Sequence, residues 1–264
     1  MLKASSLVLA CALALGPGTV ARAEPAIIGL ARAYLGPEST LEGIRTLHYV
    51  GTLDRLDPDH PEAGTVHGTL DLVFVKPLRQ RLAVRQEKQK TTLTTVLDGY
   101  DAWDYLQDNT DPTRFKLTWL SVGDIKMLRA NTWENLYFFR GQDGEAAVED
   151  KGPATIDGIA CERVDFSHGP GIVYERYFDR DTGRLVLTVR GPETIRESGE
   201  IRVEGLRFSR TIVSLTKTAS GKDVVSTVNF EKIEINAPVA PGVFAVPNIL
   251  PAKAAPAAGQ KPAK

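Results

Sequence analysis

Apolar residues recur along the chain at two periods. Near the start, Ile27, Ile28, Ala31, Tyr34 and Leu35 share one face of a helix. Gly36-Pro37 stops it, with glycine just past the last turn. Ser39-Thr40-Leu41-Glu42 matches a capping box and predicts a second short helix carrying Leu41 and Ile44. From His48 the period changes to two. Val66, Gly68, Leu70, Leu72 and Phe74 alternate with Thr65, His67, Thr69 and Asp71, the pattern of a strand with one buried face. In Leu78 to Lys88, Leu82 and Val84 face one way and Arg79, Arg81 and Arg85 the other.

Further strands are expected at Thr91 to Leu97, Ala102 to Leu106 and Phe115 to Trp119, the last two paired across a loop. A helix then interrupts them. Ser121 caps it, Asp124 sits at the third position, and Trp133, Leu136, Tyr137, Phe138 and Phe139 crowd its far end. Strands resume at Ile159 to Phe166, Ile172 to Phe178, Arg184 to Arg190, Thr194 to Val203, Phe208 to Lys217 and Asp223 to Ile235. In the last one the apolar set changes parity between Phe230 and Ile233, which predicts a bulge. Roughly ten strands at short spacing imply a mainly β fold: a large antiparallel sheet, strongly curved, with the helices on one face.

The ends are of different material. Lys3, the apolar run Leu7 to Leu15 and Ala21-Arg22-Ala23 form a secretory signal pattern over residues 1–23, with cleavage expected before Glu24. The run is far shorter than the ~20 apolar residues of a spanning helix. Export follows from this reading; lipid anchoring through Cys11 is the alternative. Residues 251–264 hold only Pro, Ala, Lys, Gly and Gln and read as a disordered tail, leaving one domain over 24–250.

Charge then sharpens the exclusions. The whole chain has 32 basic and 33 acidic residues. Without Lys3, Arg22 and the three tail lysines, 27 basic residues face 33 acidic ones, which argues against nucleic acid as a partner. No G-x-S-x-G elbow is present, and His48, His60, His67 and His168 lack metal-site spacing, so neither a hydrolase nor a metal or other cofactor is expected. Asp57-Pro58-Asp59 and Asp179-Arg180-Asp181 are partial calcium patterns that turn chemistry explains. Paired carboxylates for glycoside chemistry stay open, because so many acids always supply pairs. Cys161 lies in a strand and reads as a small buried residue.

Three stretches together carry a resemblance. The first is Lys76-Pro77-Leu78-Arg79-Gln80-Arg81 followed by Asp98-Gly99-Tyr100-Asp101-Ala102-Trp103-Asp104-Tyr105. The second is Asp157-Gly158 followed by Tyr177-Phe178-Asp179-Arg180-Asp181-Thr182-Gly183. The third is Val203 to Phe208, then Ile233-Glu234-Ile235-Asn236, then Val243-Phe244-Ala245-Val246-Pro247. In order and spacing they resemble the periplasmic lipoprotein-carrier superfamily, whose members are often called outer-membrane lipoprotein-sorting proteins.

The resemblance implies an unclosed, strongly bent antiparallel barrel with helices covering its concave side. It implies a non-enzymatic carrier or sensor of acyl chains. The expected partners are an acylated lipoprotein or lipid, with membrane release and receptor proteins, and the expected state is a monomer. Such a carrier needs an apolar concave wall. The candidates are Trp103, Tyr105, Leu117 and Trp119 on strands, Trp133, Tyr137 and Phe138 from the 121–139 helix as lid, and Leu72 and Phe74. For each, an ordinary core position is the alternative. Arg81 matches the family's arginine that bonds the lid backbone, although Arg79 and Arg85 share its face and a solvated strand face is the other reading. A sensor or protein-docking module using the same groove is the second functional class.

Overall fold

The structure, a computed structural model, describes residues 24–56, 58–59, 64–141, 147–218, 220–240 and 242–247. The signal pattern with Cys11, His60, most of the Asp57 to Pro61 loop and the tail at 251–264 lie outside the described residues.

Helix α1 (Ala26–Leu35) and α2 (Glu38–Gly43) come first. Six strands follow: β1 (Thr46–Leu56), β2 (Thr65–Val75), β3 (Arg79–Gln86), β4 (Thr91–Asp98), β5 (Asp101–Asp108) and β6 (Phe115–Trp119). Helix α3 (Val122–Leu136) starts at Ser121, whose hydroxyl accepts from the Asp124 amide as its spacing predicts. Then come β7 (Ala147–Ile156), β8 (Ile159–Ser167), β9 (Val173–Asp179), β10 (Leu185–Arg190), β11 (Glu193–Ser198), β12 (Ile201–Val203), β13 (Leu206–Phe208), β14 (Thr211–Lys217) and β15 (Asp223–Ile235).

Thirteen strands form one open, curved antiparallel sheet in the order β6-β5-β4-β3-β2-β1-β15-β14-β11-β10-β9-β8-β7. The first and last strands thus meet at β1–β15 in its middle. The predicted bulge is there: Val50 faces Lys232 and Gly51 faces Phe230, so Glu231 is the extra residue.

Three expectations change. Helix α2 begins at Glu38 behind Pro37 and has no side-chain cap, so Ser39 lies inside it. The glutamate of the expected capping box, Glu42, accepts from Arg32 instead. Strand β7 is new. It is an edge strand with thin apolar alternation, and its Gly152-Pro153 lies at a register shift, a place where an edge tolerates proline. Thr194 to Val203 and Phe208 to Lys217 are each broken in two. The chain leaves the sheet at Gly199 (φ +66°), and β12 and β13 pair only with each other. Their hairpin folds over the concave face and buries Leu206 fully.

Helix α1 is seated by two close approaches. At Gly183 (φ +75°) an added Cβ would lie 2.5 Å from the Leu30 carbonyl carbon. At Gly36 (φ +148°) it would lie 2.7 Å from the Gly205 carbonyl oxygen in the hairpin turn. Both glycines let backbone meet backbone.

The core has three parts. One joins α2 and the end of α3 to β1, β2 and β15 through residues such as Leu41, Leu47, Phe74, Leu136 and Phe230. The second packs α1 and α3 on β8 and β9 through Ile28, Ala130, Val164, Phe166 and Phe178. The third lies on the outer face, where Val73, Val96 and Trp103 are covered by Phe244. Cys161 is buried in β8, as its strand setting predicts.

Candidate functional site

Between the concave face and its cover lies a cavity of about 640 Å³. The cover is α1 (Ala31, Tyr34, Leu35), α3 (Asn131, Glu134, Asn135) with Phe138 and Phe139, and the hairpin residues Gly199, Glu200, Arg207 and Phe208.

Strand register decides what the wall is made of. Tyr49 faces Leu72, which faces Leu82; Gly51 faces both Leu70 and Phe230; Val228 faces Ile212. All of these except Gly51 line one half of the cavity, and that half is apolar. Tyr49 closes its floor, with its ring 4.9 Å from Phe230 and edge-on to Phe74 and Phe208. Burial pushes the Tyr49 phenol well above its ordinary value.

Across β11, β10 and β9 the same face turns polar. Ser214 faces Ile195, Ile195 faces Thr188, and Thr188 faces Arg176. Arg190 faces Glu193 and the two side chains pair. From the cover, the Glu134 carboxylate accepts from His168 Nε2 at 2.5 Å and from Arg176. The Glu134 side chain is only 2% exposed. The Arg176 guanidinium lies over Phe139, Phe166 and Tyr174 at 4.9, 5.0 and 5.6 Å, and its Nε has no hydrogen-bond partner among the described residues.

The cover is held by separate polar contacts. Arg32, 3% exposed, donates to the Tyr137 and Phe138 carbonyls at 3.0 and 2.7 Å and to Glu38 and Glu42. Phe138 and Phe139 have φ of 48° and 68°, so the chain turns sharply where α3 ends. Arg140 adds bonds to Glu24 and Glu38. Gln80 on β3 accepts from Asn131 and Thr132 of α3 at 3.0 and 3.1 Å.

The Arg32 hydrogen bond holds the Glu38 carboxyl at about 2 against an ordinary 4.5. A lowered carboxylate pKa stabilises the fold above the unfolded value and loses that effect as pH falls through the folded one. Acid should therefore loosen the α1–α2–α3 junction between pH 4.5 and about 2. The thermal midpoint of the wild type should fall further over that interval than that of Glu38→Gln.

Of the residues expected to wall a groove, Leu72, Phe74 and Phe138 line the cavity. Trp103, Tyr105, Leu117 and Trp119 lie on the other side of the sheet. Register carries them there: Val73 faces Arg81, Arg81 faces Val96, Val96 faces Trp103 and Trp103 faces Trp119. Trp103 is buried in the outer cluster, and Trp119 is 60% exposed on the edge strand. Trp133 and Tyr137 stack on each other at 3.5 Å at the end of α3, outside the cavity lining, with the indole donating to the Arg140 carbonyl.

Arg81 shares that outer face and bonds Asp71 at 3.0 Å; the arginine that reaches the cover's carbonyls is Arg32. Sequence reading missed Arg32 because it lies in a helix, away from the strand motif used to find it. It also missed Gln80, which has the inward parity of Leu82 and Val84, and the polar wall of β9–β11.

No family model and no curated protein matches the chain. Solved structures do match. A LolA superfamily protein from Nitrosomonas europaea superposes with a TM-score of 0.55 over 82% of this chain and 97% of that one, at 12% identity. An outer-membrane lipoprotein-sorting domain from Vibrio parahaemolyticus gives 0.53 over 83% and 95%, at 6% identity. The chain shares the fold of these two proteins. A DUF1329 family protein from Desulfovibrio piger shares that fold at a TM-score of 0.53 over 83% and 95%, with 10% identity. At these identities the likeness is one of fold. Among the described residues, no helix is long and apolar enough to cross a membrane.

Proposed function

We propose that this protein is a periplasmic, non-enzymatic binder or carrier that holds acyl chains of lipoproteins or other lipids in the covered cavity. The observation that carries the reading is the apolar half of that cavity, where Leu70, Leu72, Leu82, Ile212, Val228 and Phe230 converge under a cover. Its volume, about 640 Å³, is that of a site for one lipid-sized molecule. Each methylene moved from water into such a space gains about 0.8 kcal/mol, so capture needs no chemistry. Release needs the cover to move. The contacts of Arg32, Gln80 and Glu134 are the ones such a movement would break. The carrier fold shared with lipoprotein-sorting proteins supports the same reading.

The test is titration with a fluorescent long-chain fatty acid. Saturable binding at one site, reversed by unlabelled palmitate, is expected. Binding that never saturates, or none, contradicts the proposal.

A further inference from the structure

The β9–β11 wall has no use for a purely apolar cargo. Desolvating Arg176 and Glu134 costs several kcal/mol per ion before pairing. An all-apolar surface there would hold an alkyl chain better. The wall also carries donors besides those its acids take. Every carboxylate of the lining already has a donor: Glu134 has His168 and Arg176, Glu193 has Arg190, Glu197 has Ser209, and Glu200 has Arg202 and Arg207. What remains is donor capacity. Arg176, 7% exposed, lines the cavity. Thr188, 4% exposed, lines the cavity between Arg176 and Ile195 in register. Arg190 reaches the Tyr174 hydroxyl at 3.4 Å, and Arg184 lines the same wall.

We propose that the cavity takes a single-chain amphiphile whole, with its carboxylate or phosphate head against Arg176, Thr188 and Arg190 and its chain against the apolar half. This rests on the acyl-binding reading and specifies its ligand. A head that stayed outside, as in a cargo held only by its chains, would leave this wall facing hydrocarbon. A carboxylate or phosphate would accept from Thr188 and Arg190, and charge-assisted hydrogen bonds of this kind are the strong ones.

The experiment displaces a neutral fluorescent acyl probe from the full chain with palmitate, methyl palmitate, hexadecyl phosphate and inorganic phosphate. Palmitate and hexadecyl phosphate should compete at least about tenfold better than the methyl ester, as two charge-assisted bonds would give. Inorganic phosphate alone should not compete, which separates a lipid head from a free anion. Arg190→Met should remove most of the preference, and Thr188→Val part of it. Far-UV circular dichroism and a cooperative thermal transition should show that both variants fold. Equal affinity for ester and acid would overturn this inference and leave the acyl-binding reading standing. Failure of the neutral probe and of every amphiphile to bind would overturn both. Competition by inorganic phosphate at the affinity of hexadecyl phosphate would make the wall an anion site and overturn the placement of the chain.

Discussion

Glu134→Ala should cost about 3–5 kcal/mol of folding stability, the loss expected when one partner of a buried ion pair is removed. The variant should unfold at markedly lower denaturant than the wild type in equilibrium titration. Glu134 is the point where the cover meets the polar half of the sheet. Its carboxylate joins His168, in the loop after β8, to Arg176 on β9. Without it, Arg176 would keep its charge at a site where its side chain is 9% exposed and where its Nε already lacks a partner. The double variant Glu134→Leu/Arg176→Met should recover much of the loss. It removes both charges together, and methionine can pack among Phe139, Phe166 and Tyr174. If the single variant were as stable as the wild type, the cover would not be anchored through this pair.

Ile212→Trp should abolish acyl binding while the fold is kept. Ile212 lines the apolar half, opposite Val228 in register. Larger side chains usually strain a packed core, by about 1–3 kcal/mol. Here the added ring has a cavity to enter, so the strain should be small and the loss should appear in binding. A fall of more than about a hundredfold in fatty-acid affinity, equivalent to about 2.8 kcal/mol, is expected. The comparison variant is Leu106→Trp, on an exposed position of β5 away from the cavity lining. Fluorescence titration of the two variants should separate them cleanly. Equal affinity in both would place the ligand elsewhere.

The elements were legible because their periods are clear. Alternation in Val66 to Phe74 located β2, and the Ser121–Asp124 spacing located the start of α3. Even the Glu231 bulge followed from a parity change. The wall of the cavity was not legible, for a physical reason. Parity within a strand says which residues share a face, but not which face is concave. Leu82 and Arg81 were correctly placed on opposite sides of β3. Only the pairing of Arg81 with Val96, and of Val96 with Trp103, shows that the tryptophan goes outward with the arginine.

The aromatic richness of residues 100–139 therefore serves two surfaces. Trp103 is covered by Phe244 on the outside, while Phe138 and Phe139 face the cavity. The polar wall was hidden differently. In Tyr174-Glu175-Arg176-Tyr177-Phe178, Arg176 has the same parity as Tyr174 and Phe178 and is buried with them. A charged residue at core parity reads as an interruption in the sequence. In the folded chain it needs a partner from α3, some forty residues earlier. The split hairpin at Ile201–Phe208 was missed because its residues alternate as a strand does, and only its pairing takes it off the sheet.

The measurement closest to the central claim is native mass spectrometry of the full protein purified from its native host without detergent. The account predicts a protein peak carrying the mass of one single-chain lipid, lost from Ile212→Trp. A protein that emerges empty, and stays empty after incubation with palmitate, would contradict it.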